Sequence, residues 1–226
     1  MSTAHTLNEQ LLPGQRLSRE EFLRRWEALP ELKNAELIDG IVYMSSPASV
    51  GHSRSDLLVH MWLGVFAAAT PGCDCGSNGT WLMLESAPQP DAHLRIRPEY
   101  GGQSSTERGF GAGAPDLIAE ICASSATHDF GPKLALYQRA GVREYITVSL
   151  EPAQVVWREL SGGRYQPIEA SSDGTIKSRA FPGLWLDPEA LLANDAARVL
   201  ARLREGLNSA DHAAFVEALG KHSRAD

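Results

Sequence analysis

Apolar residues recur along the chain with two different periods, which together predict a mixture of helices and strands. Helical spacing over 49–69 ends at a Thr-Pro-Gly sequence, and a capping box from Ser18 to Glu21 begins an earlier helix that Pro30 ends. Three more helices are predicted over 129–140, 188–204 and 209–220.

Short segments with alternating or continuous apolar residues predict the strands of a sheet. Two of them, 35–38 and 41–45, flank Asp39-Gly40, which is typical of a two-residue hairpin. The segment 116–122 is almost continuously apolar and predicts a buried strand with Glu120 inside it. Further strands are predicted at 73–77, 80–85, 91–96, 144–149 and 154–159, and a mobile loop rich in Gly and Ser is predicted at 98–113.

The order of these elements predicts a single α/β domain with a mixed β-sheet flanked by α-helices and followed by a C-terminal helical extension. The formal net charge of −7 over 226 residues argues against a nucleic-acid coat protein or a membrane-surface protein, both of which are basic. Three cysteines are too few for a disulfide framework, and no apolar run is long enough to cross a membrane. No secretory signal is present, so we expect a cytoplasmic protein with reduced thiols and no membrane partner.

Two patterns of polar and glycine residues give only weak evidence for a ligand site. Residues 109–114 match the loose glycine pattern of dinucleotide binding, but no strand precedes them and a proline follows, so we reject this interpretation. His52, Asp56 and His60 are spaced four residues apart and would share one helix face, where they could hold a metal ion. A solvated helix face explains Asp56 more simply.

The most informative candidates are Asp91, Glu120 and Lys133. A carboxylate inside an apolar strand is costly unless it is paired or bound to a cation, and Lys133 begins a helix that can return over the sheet. Two carboxylates and a lysine suit Mg²⁺-dependent phosphodiester hydrolysis, because carboxylate oxygens bind this hard cation and a lysine can offset charge that develops on the phosphate. The alternative is a structural ion pair between Glu120 and Lys133, and these residues alone favour neither interpretation.

Several motifs in a fixed order give the chain a resemblance to a known family. They are ELIDG at 36–40, GHSR at 51–54, PD at 90–91, APDLIAEI at 114–121, DFGPKLALYQRAGVREY at 129–145 and FPGL at 181–184. In this the chain resembles the Uma2 family of the PD-(D/E)XK, restriction-endonuclease-like superfamily. The resemblance covers about 18–195, which would leave an N-terminal arm at 1–17 and a C-terminal helical extension at 196–226. It implies a restriction-endonuclease-like core.

The resemblance also implies roles for individual residues. Asp91, Glu120 and the backbone carbonyl of Ile121 would bind the metal, and Lys133 would be the catalytic lysine. Glu36 and His52 match positions near the family's site, where they could bind a second metal ion or orient water. Tyr137 lies one turn after Lys133 and could hydrogen-bond within the site. For Glu36, His52 and Tyr137 a structural role at the rim of the site stays an equal alternative.

The function that the resemblance implies is a metal-dependent endonuclease that uses Mg²⁺ or Mn²⁺, acts on DNA and works as a homodimer. A catalytically silent member of the fold, acting as a binding or dimerisation module, is the alternative, and a nuclease for RNA or a small nucleotide, which would share the site, is a third option. The chain departs from the family at Ala123, where a Ser or Asp is usual, and this removes an expected hydrogen bond near the site. Because the chain is acidic, a nucleic-acid groove would need a local basic patch, for which the candidates are Arg54, Arg95, Arg97, Arg139 and Arg143.

Overall fold

The computed structural model describes residues 10–44, 49–122 and 127–222, and within them it shows a mixed α/β architecture. The helices are α1 (Arg19–Glu27), α2 (Val50–Ala69), α3 (Thr127–Ala140), α4 (Pro188–Leu192), α5 (Ala196–Leu207) and α6 (Ala210–His222). The strands are β1 (Ala35–Ile38), β2 (Ile41–Met44), β3 (Cys73–Ser77), β4 (Trp81–Leu82), β5 (Ala92–Ile96), β6 (Ser105–Glu107), β7 (Phe110–Ala112), β8 (Leu117–Cys122), β9 (Glu144–Leu150), β10 (Ala153–Ser161), β11 (Arg164–Pro167), β12 (Ile176–Lys177) and β13 (Trp185–Leu186).

The centre of the fold is a six-stranded sheet with the order β11-β10-β9-β8-β5-β3. The β8–β9 pair is parallel and the other neighbouring pairs are antiparallel, so the sheet is mixed. Helix α2 and the C-terminal helices pack on one face, and α3 packs on the other. The predicted fold class, a mixed sheet flanked by helices, is therefore confirmed.

Local sequence signals account for the first elements. The Ser18 hydroxyl accepts a hydrogen bond from the Glu21 backbone N–H at 3.2 Å and so begins α1, as predicted. Asp39 and Gly40 have positive φ angles of 49° and 77°, which is the type I′ geometry that a two-residue hairpin requires. The predicted hairpin is present, although its last predicted residue, Ser45, lies outside the described residues.

The region predicted as a loop at 98–113 is different in the structure. It contains a short 3₁₀ helix at Pro98–Tyr100 and the antiparallel strands β6 and β7, which form a three-stranded sheet with β4. The turn between β6 and β7 is formed by Arg108 and Gly109, whose φ angles are 52° and 87°. The prediction of a loop was wrong because a hairpin is recognised by alternating apolar residues on both sides of its turn, and the Arg108-Gly109 turn is not flanked in this way.

Two other predicted elements are shorter than expected. The strand predicted at 80–85 is reduced to β4, because Leu84 has a φ of 51° and turns the chain. The helix predicted at 188–204 is divided into α4 and α5, because Asn194 has a φ of 52° and Asp195 caps a new helix by accepting from the Arg198 N–H. Strands β11, β12 and β13 were not predicted, and α3 begins two residues before the predicted Asp129.

The C-terminal helices share the main core of the molecule. Val199, Leu203 and Leu219 are buried with residues of α2 and of the sheet in one apolar cluster. The predicted boundaries at 17 and 195 stay predictions. Within the described part of the chain, no helix is both long and apolar enough to cross a membrane.

Candidate active site

The candidate site lies at the edge where β5 begins beside β8. The antiparallel register pairs Ala92 with Ala119, and two further steps in each direction would place Pro90 opposite Ile121. Proline has no N–H to donate, so it cannot provide the ladder hydrogen bond that the Ile121 carbonyl would otherwise accept. The backbone of Ile121 is therefore available to side chains at this edge.

Two side chains contact this open backbone. The Ile121 N–H donates to Asp91 Oδ2 at 2.7 Å, and the Ile121 carbonyl accepts from His52 Nε2 at 3.0 Å. His52 Nε2 is also 3.9 Å from Asp91 Oδ2. Burial raises the pKa of Asp91, although the Ile121 N–H and the charge of Lys133 act in the opposite direction. Asp91, His52 and Ile121, all predicted from the sequence, thus form one contact group.

Glu120 is the centre of a second contact group, on the opposite side of β8 from the main core. Lys133 Nζ lies 3.0 Å from Glu120 Oε1 and 3.2 Å from Oε2, and the Tyr137 hydroxyl donates to Oε1 at 2.7 Å. The Glu120 residue is only 4% exposed, and its burial raises the pKa to about 8 even though the positive charge of Lys133 lowers it. Burial raises the pKa of Tyr137 as well, so its hydroxyl keeps the proton that it donates.

Glu36 joins this group from the β1 strand. Its Oε1 is 2.8 Å from Lys133 Nζ and accepts from the Gln89 backbone N–H at 2.6 Å. Burial alone would lower the pKa of Lys133, but the carboxylates of Glu120 and Glu36 raise it above its usual value. Lys133 is therefore a buried, charged ammonium between two carboxylates. The structural ion pair considered from the sequence is present, together with a second carboxylate.

The histidines of α2 contact backbone carbonyls and not a shared metal position. His60 Nδ1 is 2.7 Å from the Asp56 carbonyl and Nε2 is 2.9 Å from the Asp91 carbonyl, whereas His52 contacts Ile121. Among the described residues, no group of three or more His, Cys, Asp or Glu side chains is arranged to hold a metal ion. The interpretation of His52, Asp56 and His60 as a metal site therefore finds no support here.

The predicted ligand set consists of two carboxylates and one backbone carbonyl, and its chemistry fits a hard divalent cation. Among the described residues, none donates a hydrogen bond to Asp91 Oδ1 and only Lys133 donates one to Glu120 Oε2. A carboxylate has about four lone-pair positions and a carbonyl has two, so each of the three groups keeps unused acceptor capacity. Asp91, Glu120 and the Ile121 carbonyl could therefore bind Mg²⁺ or Mn²⁺.

Most of the arginines proposed as a basic patch are neutralised by nearby carboxylates. The pairs are Arg95 with Asp74 at 2.8 Å, Arg97 with Glu99 at 3.4 Å, Arg139 with Asp39 at 2.6 Å and Arg143 with Asp116 at 3.3 Å. Arg54 lies beside an apolar groove on α2. The positive charge expected from these five residues is thus largely offset by carboxylates.

Ala123, the predicted departure from the family, lies outside the described residues.

Sequence reasoning missed three contributions to the site. The Gln89 N–H fixes Glu36, Pro90 leaves the Ile121 carbonyl without a strand partner, and His60 contacts the Asp91 carbonyl. The Pro-Asp pair carried a usable signal, because a proline directly before a strand marks where its ladder cannot continue. The Gln89 contact joins residues 53 positions apart and has no local signal.

Comparisons with known proteins agree with this architecture. The structure is similar to a crystal structure described as a "putative nuclease belonging to DUF820" from Anabaena variabilis, with a TM-score of 0.63 and 13% sequence identity over 79% of this chain and 98% of the other. At this identity the likeness shows the fold alone, and it confirms the predicted nuclease-like core. No curated protein matches the sequence. The model of the Uma2 family, described as "Putative restriction endonuclease", matches residues 19–189, and the chain therefore belongs to the Uma2 family.

Proposed function

We propose that the protein is a metal-dependent endonuclease that hydrolyses phosphodiester bonds of nucleic acid, with DNA as the expected substrate. The proposal is supported by two neighbouring contacts: Asp91 accepts from the Ile121 N–H, and Lys133 is bonded to Glu120, the residue next to Ile121 on β8. Membership of the Uma2 family, whose description is "Putative restriction endonuclease", supports the same reaction class. A homodimer and a cytoplasmic location stay predictions from the sequence.

Asp91, Glu120 and the Ile121 carbonyl would hold the cation, for which we propose Mg²⁺ or Mn²⁺. When bound, such a cation polarises a phosphate and lowers the pKa of a coordinated water. His52 would orient the Ile121 carbonyl, and Tyr137 would fix the rotamer of Glu120 through its short hydrogen bond.

Lys133 would act beside these ligands through its charge. Its ammonium is held by Glu120 and Glu36, so it keeps one position and stays protonated. A fixed positive charge at this position would stabilise the negative charge that develops on the phosphate in the transition state. Glu36 is then a positioning residue, because its carboxylate contacts the lysine and the Gln89 N–H.

The proposal is tested by a calorimetric Mn²⁺ titration and a plasmid-cleavage assay on the wild type and Glu120→Ala. Glu217→Ala is the control, because Glu217 is an exposed residue of α6. We expect metal binding and cleavage in the wild type and in the control, and neither in Glu120→Ala. Because a phosphate can complete a metal site, the titration is repeated with a phosphorothioate oligonucleotide present. Cleavage by Glu120→Ala at the wild-type rate would contradict the proposal.

A second candidate function is a catalytically silent module that keeps the fold for binding or dimerisation. The observation that favours it is that Lys133 already contacts both Glu120 and Glu36, and this ion-pair group joins α3 to β8 and β1 without a ligand. For such a protein we expect no Mn²⁺ binding, either without or with the phosphorothioate oligonucleotide. The proposed endonuclease should bind Mn²⁺ under at least one of these two conditions.

A further inference from the structure

A small cavity lies beside the candidate site, bounded by Gly79, Trp81, His93, Gly109 and Gly111. Its volume is about 170 Å³. An apolar cavity of about 150 Å³ in another protein holds one benzene ring, so the space here is sufficient for a single planar ring. The lining differs from an apolar cavity because it carries polar atoms, which give a bound ring a defined orientation.

The cavity and the candidate metal ligands share one face of the sheet. His93 follows Asp91 by two residues, and side chains two positions apart on a strand point to the same face. Two residues of a strand span roughly 7 Å. The alternate residues Ala92 and Leu94 face the main core instead. A ligand group beside His93 would therefore be close to Asp91, which directly precedes β5.

Two polar atoms of the cavity walls are without a hydrogen-bond partner among the described residues. One is His93 Nδ1, which is buried. The other is the indole N–H of Trp81, to which no described atom serves as an acceptor, whereas the indoles of Trp62 and Trp157 both donate within the protein. An ideal Cβ on Gly79 would lie 3.9 Å from each of these two nitrogens, so both border the same space.

Glycines keep this space open and hold its walls in place. A Cβ on Gly111 would lie 2.4 Å from the Trp81 ring, and one on Gly76 would lie 2.5 Å from His93 Cε1, so both rings are packed directly on backbone. A Cβ on Gly109 would meet nothing within 4 Å. The two rings are also in contact, with centroids 4.9 Å apart and planes at 78°. Both rings are therefore held by direct packing on backbone and on each other.

We propose that this cavity binds a nucleobase of the substrate next to the phosphodiester bond that is cleaved. The edge of a base offers adjacent hydrogen-bond donors and acceptors, which match an indole N–H and an imidazole nitrogen. Arg95, the charged residue among the described lining residues, is paired with Asp74, so recognition of a base in the cavity depends on the two ring nitrogens. A base can enter such a cavity when it is unpaired or turned out of a duplex.

This inference rests on the proposed function, but its first test needs no catalysis. In ¹⁵N-labelled protein with EDTA present, the indole N–H signal of Trp81 is assigned by its loss in Trp81→Phe. The probes are the four deoxynucleoside 5′-monophosphates and, as a probe without a base, deoxyribose 5-phosphate. We expect at least one nucleotide to shift the Trp81 signal in a saturable way and deoxyribose 5-phosphate to leave it unchanged.

Gly79→Ala places a methyl group in the cavity at ordinary contact distance, 3.4 Å from His93 Cε1, so the fold should tolerate it. Gly64→Ala on α2 is the matched control, because a Cβ there meets nothing within 4 Å. We expect nucleotide binding at least tenfold weaker in Gly79→Ala and unchanged in Gly64→Ala. His93→Gln is the second variant in case Gly79→Ala does not fold, and we expect the same loss. An absent shift, an equal shift with deoxyribose 5-phosphate, or unchanged affinity in the folded cavity variants would overturn the inference.

The cleavage assay separates this inference from the proposed function. Nucleotide binding at Trp81 without any cleavage by the wild type would refute the proposed endonuclease activity and support a nucleotide-binding cavity. Cleavage by the wild type without a response at Trp81 would refute nucleobase binding in the cavity and leave the endonuclease proposal intact. If both are correct, Gly79→Ala should raise KM for DNA more than it lowers kcat, because the cavity binds a part of the substrate that does not react.

Discussion

Replacing Glu120 with glutamine should stabilise the metal-free protein at alkaline pH. Glu120 is 4% exposed, and burial raises its pKa from 4.5 to about 8 even with Lys133 beside it. The folded state therefore holds the proton of this carboxyl more tightly than the unfolded state does. Glutamine has nearly the same shape and carries no charge, so it resembles the protonated carboxyl.

The sign and size of the effect follow from this difference in pKa. The contribution of Glu120 to stability is fully present at pH below 4.5, and it is lost as the pH rises to about 8, where the buried carboxyl must ionise. A rise from 4.5 to about 8 corresponds to at most about 5 kcal/mol. Because Lys133 shares the interaction, we expect Glu120→Gln to gain about 3 kcal/mol at pH 9, or roughly 6–12 °C in Tm, and little at pH 5.

The measurement is thermal unfolding followed by circular dichroism at pH 5 and pH 9 with EDTA present. Glu144→Gln is the matched control: burial raises the pKa of Glu144 too, but its carboxylate accepts more hydrogen bonds, so the same substitution should be destabilising there. The Glu144 carboxylate accepts four hydrogen bonds, so an amide N–H₂ group there would face donors and should destabilise the protein at both pH values. The donors are Trp157 Nε1, Ser178 Oγ, Arg179 N and Ala180 N, at 2.9, 2.8, 2.6 and 2.8 Å.

The reasoning is refuted if Glu120→Gln is less stable than the wild type at pH 9. Such a result would mean that the attraction between Glu120 and Lys133 exceeds the cost of burying the carboxylate. Adding Mn²⁺ extends the experiment, because a bound cation offsets the charge of Glu120. We expect Mn²⁺ to raise the Tm of the wild type and not that of Glu120→Gln; no effect on either protein would favour the silent module.

Three further predictions concern the site and the core. Tyr137→Phe removes the donor to Glu120 Oε1 and should weaken Mn²⁺ binding about tenfold or more by calorimetry, with the fold unchanged by circular dichroism. Gly206→Ala should destabilise the protein by about 1–3 kcal/mol in urea unfolding although alanine favours helices, because its Cβ would lie 2.2 Å from the Gly183 carbonyl oxygen; equal stability would contradict this packing. Trp62→Ala should cost about 3–5 kcal/mol in the same assay, since Trp62 is 1% exposed in the main core.

Local signals in the sequence were sufficient for the elements that position the site. The Ser18 cap, the Asp39-Gly40 turn and the apolar strand around Glu120 each depend on residues within a few positions, and each is present as predicted. The break between α4 and α5 was missed because helical spacing continues through Asn194. A positive φ at one residue interrupts a helix without changing the apolar pattern on either side.

Long-range contacts set the limit of prediction for the site. That Lys133 would approach Glu120 followed from a helix returning over its own strand, which is a short connection. Its second contact, to Glu36, joins α3 to a hairpin almost a hundred positions earlier, and only the tertiary fold brings them together. Whether the assembled residues bind metal and cut nucleic acid is decided by the experiments above.

The open backbone of Ile121 has a consequence for how the site can change in evolution. A carbonyl oxygen is present whatever the side chain, and the side chain of Ile121 packs in the main core. Position 121 can therefore exchange one aliphatic residue for another without losing a ligand. An insertion or deletion in β5 is different, because it would move Pro90 away from Ile121 and give the carbonyl a strand partner. This ligand tolerates point substitution and is sensitive to changes in strand length.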